Sequence, residues 1–256
     1  MRLFVVTATL GERDTLSRTI ESVRTIGGSS VTHLVVAPED KVQRIKTIYG
    51  SSVECVAEPK NSKGFYGALN HCFYTYGCGY DYFTFINDDD YWLPDFAKLI
   101  RLVEEHPGLD MVYAKTLYVD ENNNVIKRQA CSNQFYRFND LFHENVILLT
   151  QQTTLVKKDF FFKVGGFDDS YKLIADTKFW IQASLMKPKF RYIKSFVSCY
   201  TLQESQLSKD KAFQEKEHER LRDEYPSCSV FRRRLFLIAY RIYNLNVYFK
   251  RLFINK

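Results

Sequence analysis

Through the first half of the chain, short apolar runs alternate with stretches in which apolar residues recur every three or four positions. Leu3–Thr7, His33–Ala37, Val53–Ala57 and Tyr82–Asn87 have the length and the β-branched or aromatic content of strands. Between the first two, Leu16, Ile20 and Val23 keep helical spacing. Between the last two, Ala68, Leu69, Cys72, Phe73 and Tyr76 do the same. This rhythm predicts an α/β fold, a mixed and mainly parallel sheet flanked by helices. Ligands of such sheets sit beyond the carboxyl ends of the strands. Thr7–Arg13, Ala37–Lys41, Glu58–Gly64 and Asn87–Asp90 fall there. Further on, Pro94-Asp95 opens a helix carrying Phe96, Leu99, Ile100 and Val103, with proline in the first turn, where its missing N–H costs nothing. Met111–Val119, Val125-Ile126 and Thr153–Val156 read as strands, and a helix is expected from about Ile174 to Leu185.

Past Lys209 the pattern changes to charged and helical, with Pro226 as a break. Phe231, Leu235, Ile238, Ile242, Leu245, Phe249 and Leu252 then form one apolar stripe at spacings of four and three, with arginines beside it. The stripe has two readings: contact with an anionic membrane surface, or packing on the main body or on a second subunit, as in a homodimer. The expected division is a catalytic domain over residues 1–208 and a helical, basic extension over residues 209–256.

Charge sharpens that division. The net charge is +6, yet seven basic and no acidic residues follow Ser229, leaving 29 basic against 30 acidic before it. A near-neutral body argues against nucleic acid as a partner. Met1-Arg2 leads directly into the first apolar run, and no apolar stretch approaches the roughly 18 residues that span a bilayer. A cytoplasmic protein is expected, with the membrane reading placing it on the inner face. The six cysteines show no CxxC pair, which favours free thiols.

The chemistry gathers at Asn87-Asp88-Asp89-Asp90. Adjacent carboxylates at the end of an apolar strand repel one another, and a hard divalent cation relieves that repulsion. Mg²⁺ or Mn²⁺ takes oxygen ligands from one or two carboxylates and from substrate phosphates. The alternative is a solvated acidic turn, with Asn87 or Asp90 capping the next helix.

The order of motifs resembles the family-2 glycosyltransferases with the GT-A fold. The resemblance spans roughly residues 3–205. Val5-Val6-Thr7-Ala8-Thr9 with Arg13 is similar to the family's first strand and nucleotide loop. Glu58-Pro59 and Lys63–Asn70 resemble its loop and helix before the metal strand. Asn87–Asp90 with Pro94 resembles its DxD-type motif, and Gly165-Gly166-Phe167-Asp168 with Ala175-Asp176 and Trp180 its acceptor segment. The resemblance implies a nucleotide-sugar transferase of inverting type acting in surface glycan synthesis. Asp89 would ligate Mn²⁺ or Mg²⁺, and Asp88 would lie near ribose and metal. Thr7, Ala8, Thr9, Arg13, Lys63 and Asn70 would bind base and diphosphate, and Asp176 would be the general base. Asp90, Gln152 and Trp180 would lie behind the metal or toward the acceptor, a glycan or lipid-linked saccharide.

Two positions depart from the family pattern. Ala37 stands where an aspartate often binds the base, so either Glu39 or Asp40 substitutes or base recognition differs, and Ser62 replaces an aspartate before Lys63-Gly64. The donor nucleotide therefore stays open among UDP, dTDP and GDP. Two rival functions remain. A sugar nucleotidyltransferase would need a glycine-rich phosphate loop, which Thr7–Gly11 is not. A non-catalytic nucleotide-sugar-binding module would make Asp89 and Asp176 dispensable.

Overall fold

The computed structural model describes residues 1–50, 53–203 and 211–254, with side chains to residue 249. The anticipated division between residues 208 and 209, and the side chain of Leu252, lie outside them. Strands β1 (Leu3–Ala8), β2 (Val31–Ala37), β3 (Glu54–Ala57) and β4 (Tyr82–Phe85) run parallel in the order β3-β2-β1-β4. Beyond β4 the sheet changes direction. β8 (Thr154–Lys157) is antiparallel to β4, and β6 (Met111–Val119) is antiparallel to β8. β9 (Phe190–Thr201) pairs parallel with β6, and its far end pairs with β5 (Tyr91–Trp92), while β7 (Val125–Arg128) forms a hairpin with β6. The parallel character is thus confined mainly to the half built from the β-α-β-α repeat.

The period of two in β1 explains how helices cover both faces. Leu3 and Val5 point toward α1 (Leu16–Gly27) and α4 (Ala97–Glu105), where Val23, Leu99, Ile100 and Val103 are buried. Phe4 and Val6 point the other way, toward α3 (Phe65–Tyr76), α6 (Lys158–Val164) and α7 (Ala175–Leu185). That second core is aromatic: Phe73 stacks on Phe83 at 4.8 Å, and Phe161, Phe167 and Phe179 close the cluster. Helix α2 (Glu39–Tyr49) is absent from the sequence pattern, because it buries only Ile45 and has a weak apolar face. Glu39 and Asp40 are exposed in its first turn, where carboxylates favour the positive helix end.

Helices α5 (Phe138–Phe142), α8 (Lys211–Glu224), α9 (Val230–Tyr243) and α10 (Leu245–Ile254) complete the chain. The final apolar stretch is two helices rather than one. Asn244 interrupts it: this buried side chain accepts the Cys131 N–H at 3.2 Å and donates to the Tyr240 carbonyl at 3.0 Å. Leu221, Leu237, Tyr240 and Val247 join the aromatic core, so α8, α9 and α10 are packed onto the sheet domain. Among the described residues no helix is long and apolar enough to cross a membrane.

Candidate active site

The carboxyl ends of β1 and β4 are neighbours, which brings residues some eighty positions apart together. The Thr9 hydroxyl donates to Asp88 Oδ2 at 2.6 Å and accepts the Gly11 N–H at 2.9 Å. Arg13 Nη1 bridges Asp88 Oδ1 at 2.9 Å and Asp89 Oδ2 at 2.7 Å. One guanidinium thus stands between the two carboxylates, offsetting one of their two charges.

The main chain of the acidic segment is held by a polar stripe on α1. Thr15 Oγ1, just before the helix, donates to the Asp88 carbonyl at 2.9 Å. Arg18 Nη2 donates to the Asp89 carbonyl at 3.0 Å, and Thr19 Oγ1 to the Asp90 carbonyl at 2.6 Å. Ser22 Oγ accepts the Trp92 N–H at 3.1 Å. Positions 15, 18, 19 and 22 lie on one helix face, so the stripe follows from helical geometry.

Asp90 has a different role from its neighbours. It is fully buried, accepting the Thr201 N–H at 2.9 Å and the Asn87 amide at 3.2 Å. Burial, with Asp89 beside it, pushes its carboxyl well above the usual range. Asp90 therefore ties the acidic turn to the end of β9, and an acceptor cannot reach it. Thr201 reinforces the tie by donating its hydroxyl to the Asp89 carbonyl at 2.5 Å. Two other residues expected near the acceptor are also internal. Gln152 is fully buried in the turn that leads into β8, with Nε2 3.4 Å from Thr116 Oγ1. Trp180 is 3% exposed and packs on Phe179, since one turn past Asp176 the helix already lies over the aromatic core.

The residues expected around the nucleotide divide. Thr9, Arg13, Asp88 and Asp89 converge as described. Thr7 is fully buried and its hydroxyl is 2.9 Å from His33 Nε2, so that hydroxyl is not offered to a base. Burial lowers His33 to about 3, which keeps this pair neutral. Ala8 is half-buried and faces the aromatic core from its rim. Asn70 holds the Phe167 main chain at both ends of its amide, donating at 2.6 Å and accepting at 3.0 Å. It braces the Gly165–Asp168 loop rather than standing open to a diphosphate. Lys63 is exposed, with Nζ 4.0 Å from Asp169.

Asp176 stands in the first turn of α7, half-buried. Its Oδ1 accepts the Thr177 N–H at 2.8 Å and the Tyr66 hydroxyl at 3.0 Å. Burial raises the Asp176 carboxyl to about 6, although its hydrogen bonds oppose the shift. Burial and this carboxylate raise the Tyr66 phenol well above its ordinary value, so it stays a donor. Tyr66 also packs on Phe85, at the end of β4, which links Asp176 to the strand that carries the acidic turn.

A buttress from α8 supports this corner, and no motif announces it. Glu217, 6% exposed, accepts the N–H groups of Lys172, Leu173 and Ile174 at 2.5, 2.9 and 3.2 Å. It thereby fixes the approach to Asp176 and satisfies donors ahead of α7 that lack helical partners. Lys178 extends the support, pairing with Asp168 at 2.7 Å and Glu224 at 2.6 Å. Leaving a buried donor without its acceptor costs about 1–3 kcal/mol, and more where the lost partner is charged. Glu217→Ala should therefore lower the thermal midpoint clearly, and Glu217→Gln, which keeps one acceptor oxygen, should lower it less. Equal midpoints for both variants and the parent chain in a melting experiment would remove the buttress from the account.

The family model described as glycosyl transferase family 2 matches residues 4–165, more than half of the chain. The chain belongs to that family. The matched stretch holds β1, Arg13 and the acidic turn, and stops short of Asp176. Among solved structures, the family-2 chain is similar to TarS 1-349 of S. aureus in complex with UDP-GlcNAc. That match has a TM-score of 0.66 and 14% identity, covering 96% of this chain and 73% of that one. A second TarS 1-349 structure matches with a TM-score of 0.60 at 15% identity, over 78% of this chain and 60% of that one. A mannosyltransferase from Pyrobaculum calidifontis in complex with GDP-Man and Mn²⁺ matches with a TM-score of 0.61 at 11% identity, over 89% of this chain and 66% of that one. The chain therefore spans about 60% of the length of that second TarS fragment. At these identities the likeness is one of fold, a GT-A-type α/β domain. No curated protein matches the chain in sequence.

Proposed function

We propose that this family-2 chain is an inverting, metal-dependent glycosyltransferase. It would move a sugar from a UDP-, dTDP- or GDP-sugar to a hydroxyl of a saccharide or lipid-linked acceptor. The observation that carries the proposal is Asp176: a carboxyl raised to about 6 by burial and held through Oδ1 by the Tyr66 hydroxyl and the Thr177 N–H. A general base needs this combination, being ionised near neutrality yet basic enough to accept a proton. The acceptor hydroxyl attacks the anomeric carbon and its proton passes to this carboxylate, while the bond to the nucleoside diphosphate breaks. Tyr66 and the Thr177 N–H keep the carboxylate oriented during that step.

The acidic turn fits a divalent cation in one particular way. Among the described residues no three His, Cys, Asp or Glu side chains converge as a metal cage, because Asp90 turns toward Thr201. Asp88 and Asp89 supply two carboxylates, the set on which Mn²⁺ or Mg²⁺ sits when substrate phosphates complete the shell. Bound there, the cation would offset the charge of the departing diphosphate. Arg13 would then release the carboxylates and turn its guanidinium to the diphosphate, a bidentate partner that suits it. Hydrolysis of a nucleotide-sugar panel with Mn²⁺, with and without a chelator, tests the reading. Metal-dependent release of nucleotide from one donor is expected. No release from any donor, together with no metal-dependent nucleotide binding, would overturn it.

The acceptor reading extends to α9 and α10. Phe231, Ile238, Ile242 and Phe249 are 73%, 51%, 61% and 58% exposed, with Arg232 and Arg241 exposed on α9. An exposed apolar row flanked by cations suits an anionic lipid surface, each cation adding about 1 kcal/mol there. Affinity for phosphatidylglycerol vesicles at low salt, read by sedimentation, should fall about thirtyfold in the double variant Phe231→Glu, Ile238→Glu, since two charges at about 1 kcal/mol each amount to about 2 kcal/mol. Binding unchanged by the two glutamates, or a dimer that masks the same face, would count against membrane contact.

A further inference from the structure

At the carboxyl ends of the parallel strands, one half-buried carboxylate takes no part in the contacts described so far. Glu58 follows β3 directly, and its N–H donates to the Ala37 carbonyl at 2.7 Å, so it continues the β2–β3 ladder by one residue. With a period of two, Glu58 falls on the face of Val56, whereas Cys55 and Ala37 face α2. Its carboxylate is close enough to α3 to add to the burial that pushes the Cys72 thiol up to about 12. Ala8, Val56 and Phe65 form the partly covered rim of the aromatic core on that face. Glu58 stands half-buried beside this rim, and among the described residues no hydrogen bond or ion pair engages its carboxylate.

The other side chains along these strand ends offer a nucleobase little. Thr7 is committed to His33 and Thr9 to Asp88, while Ala8, Ala37 and Ala57 have no polar side chain. Glu39 and Asp40 are exposed on α2, with Asp40 3.5 Å from Lys41. The strand order β3-β2-β1-β4 puts the acidic turn at one end of the row and Glu58 at the other. Three strand spacings separate them, roughly 14 Å, the scale of an extended nucleoside diphosphate. A nucleotide anchored by its diphosphate at Asp88 and Asp89 therefore carries its base along the row toward Glu58.

We infer that Glu58 selects the base of the donor and that its carboxylate favours guanine. The assignment rests on the transferase reading above, which supplies the nucleotide. The Watson–Crick edge of guanine has two adjacent donors, N1–H and the N2 amino group, which a carboxylate accepts as a pair. Uracil and thymine have a single N3–H between two carbonyl oxygens, and those oxygens oppose a carboxylate. Among UDP-, dTDP- and GDP-sugars, the last is the one that Glu58 fits.

Calorimetric titration of the full chain with GDP, UDP and dTDP in the presence of Mn²⁺ tests the assignment. GDP should bind about tenfold more tightly than the other two, the scale of one additional hydrogen bond to a charged acceptor. Glu58→Gln should bring the nucleotides level, chiefly by tightening UDP, because an amide pairs one N–H and one carbonyl on any of these bases. A gain in affinity cannot come from misfolding. Glu58→Ala should also erase the margin, chiefly by weakening GDP. Parity of the three nucleotides in the parent chain, a preference for UDP or dTDP, or a guanine margin that survives both variants would overturn the role of Glu58. So would a margin that Asp40→Ala removes and Glu58→Ala leaves in place, which would pass recognition to α2. Donor hydrolysis separates this claim from the transferase reading. Hydrolysis of a sugar nucleotide without a guanine margin removes Glu58 and leaves the transferase. A Glu58-dependent margin without hydrolysis of any donor leaves a guanine site and removes the transferase, and no binding of any of the three removes both.

Discussion

Asp176→Asn is expected to lower sugar transfer by ~10²–10⁴-fold, the usual contribution of a positioned general base, without lowering the melting temperature. The asparagine keeps an oxygen for the Tyr66 hydroxyl and the Thr177 N–H, so the local geometry survives. It also removes a charge that the fold holds unfavourably. A carboxyl at about 6 in the folded chain, against roughly 3.9 unfolded, binds its proton more tightly when folded. This group therefore stabilises the fold below about pH 4 and progressively less as pH rises toward about 6. Above that the parent carries the full penalty and the variant carries none. Activity has the opposite dependence, because the base works only when ionised: kcat/KM should fall as pH drops below about 6. Transfer by Asp176→Asn at the parent rate, or a parent profile flat from about pH 5 to about pH 7, would remove Asp176 from the chemistry.

Asp89→Ala should abolish the metal requirement together with the activity, a loss of ~10³-fold if electrostatic stabilisation of the leaving group dominates. The more diagnostic variant is Arg13→Ala. Arg13 shares Asp88 and Asp89 with any incoming cation, so its removal should strengthen Mn²⁺ binding in the absence of nucleotide. The same substitution should weaken turnover, since the diphosphate loses its guanidinium partner. Opposite signs in one variant separate competition from simple misfolding. Calorimetric titration with Mn²⁺ provides the measurement, and weaker binding by Arg13→Ala would show that Arg13 assembles the metal site instead of competing for it.

Whatever is local and periodic was legible in the sequence. β1, β4 and β6 stand out as short apolar runs of strand length, α3 because its apolar positions keep helical spacing, and the acidic turn because three aspartates after an apolar strand require an explanation. What escaped is set by distant partners. β9 mixes Arg191, Lys194 and Ser195 with aromatic residues, so it lacks clean alternation; it is a strand because β6 offers it a parallel edge. With β9 unseen, Thr201 could not be found as the partner that takes Asp90 out of the site. Glu217 reads in sequence as one more charge on a solvated helix, and only its reach to residues 172–174 reveals its purpose. The Thr15, Arg18, Thr19 and Ser22 stripe was available in principle. It lies on the helix of Leu16, Ile20 and Val23, and attention to the apolar face alone passes over the polar one.

That stripe separates two tasks usually combined in a binding loop. The carbonyls of residues 88–90 are anchored by Thr15, Arg18 and Thr19, while the carboxyl groups of Asp88 and Asp89 are engaged separately by Thr9 and Arg13. The turn is consequently a mount whose fittings can be exchanged. Histidine or asparagine could replace either carboxylate and meet the same backbone, which makes the position suitable for grafting other ligand sets or for retuning metal preference by design. Substitutions on α1, far less conspicuous in sequence, would be the ones that put the mount out of true.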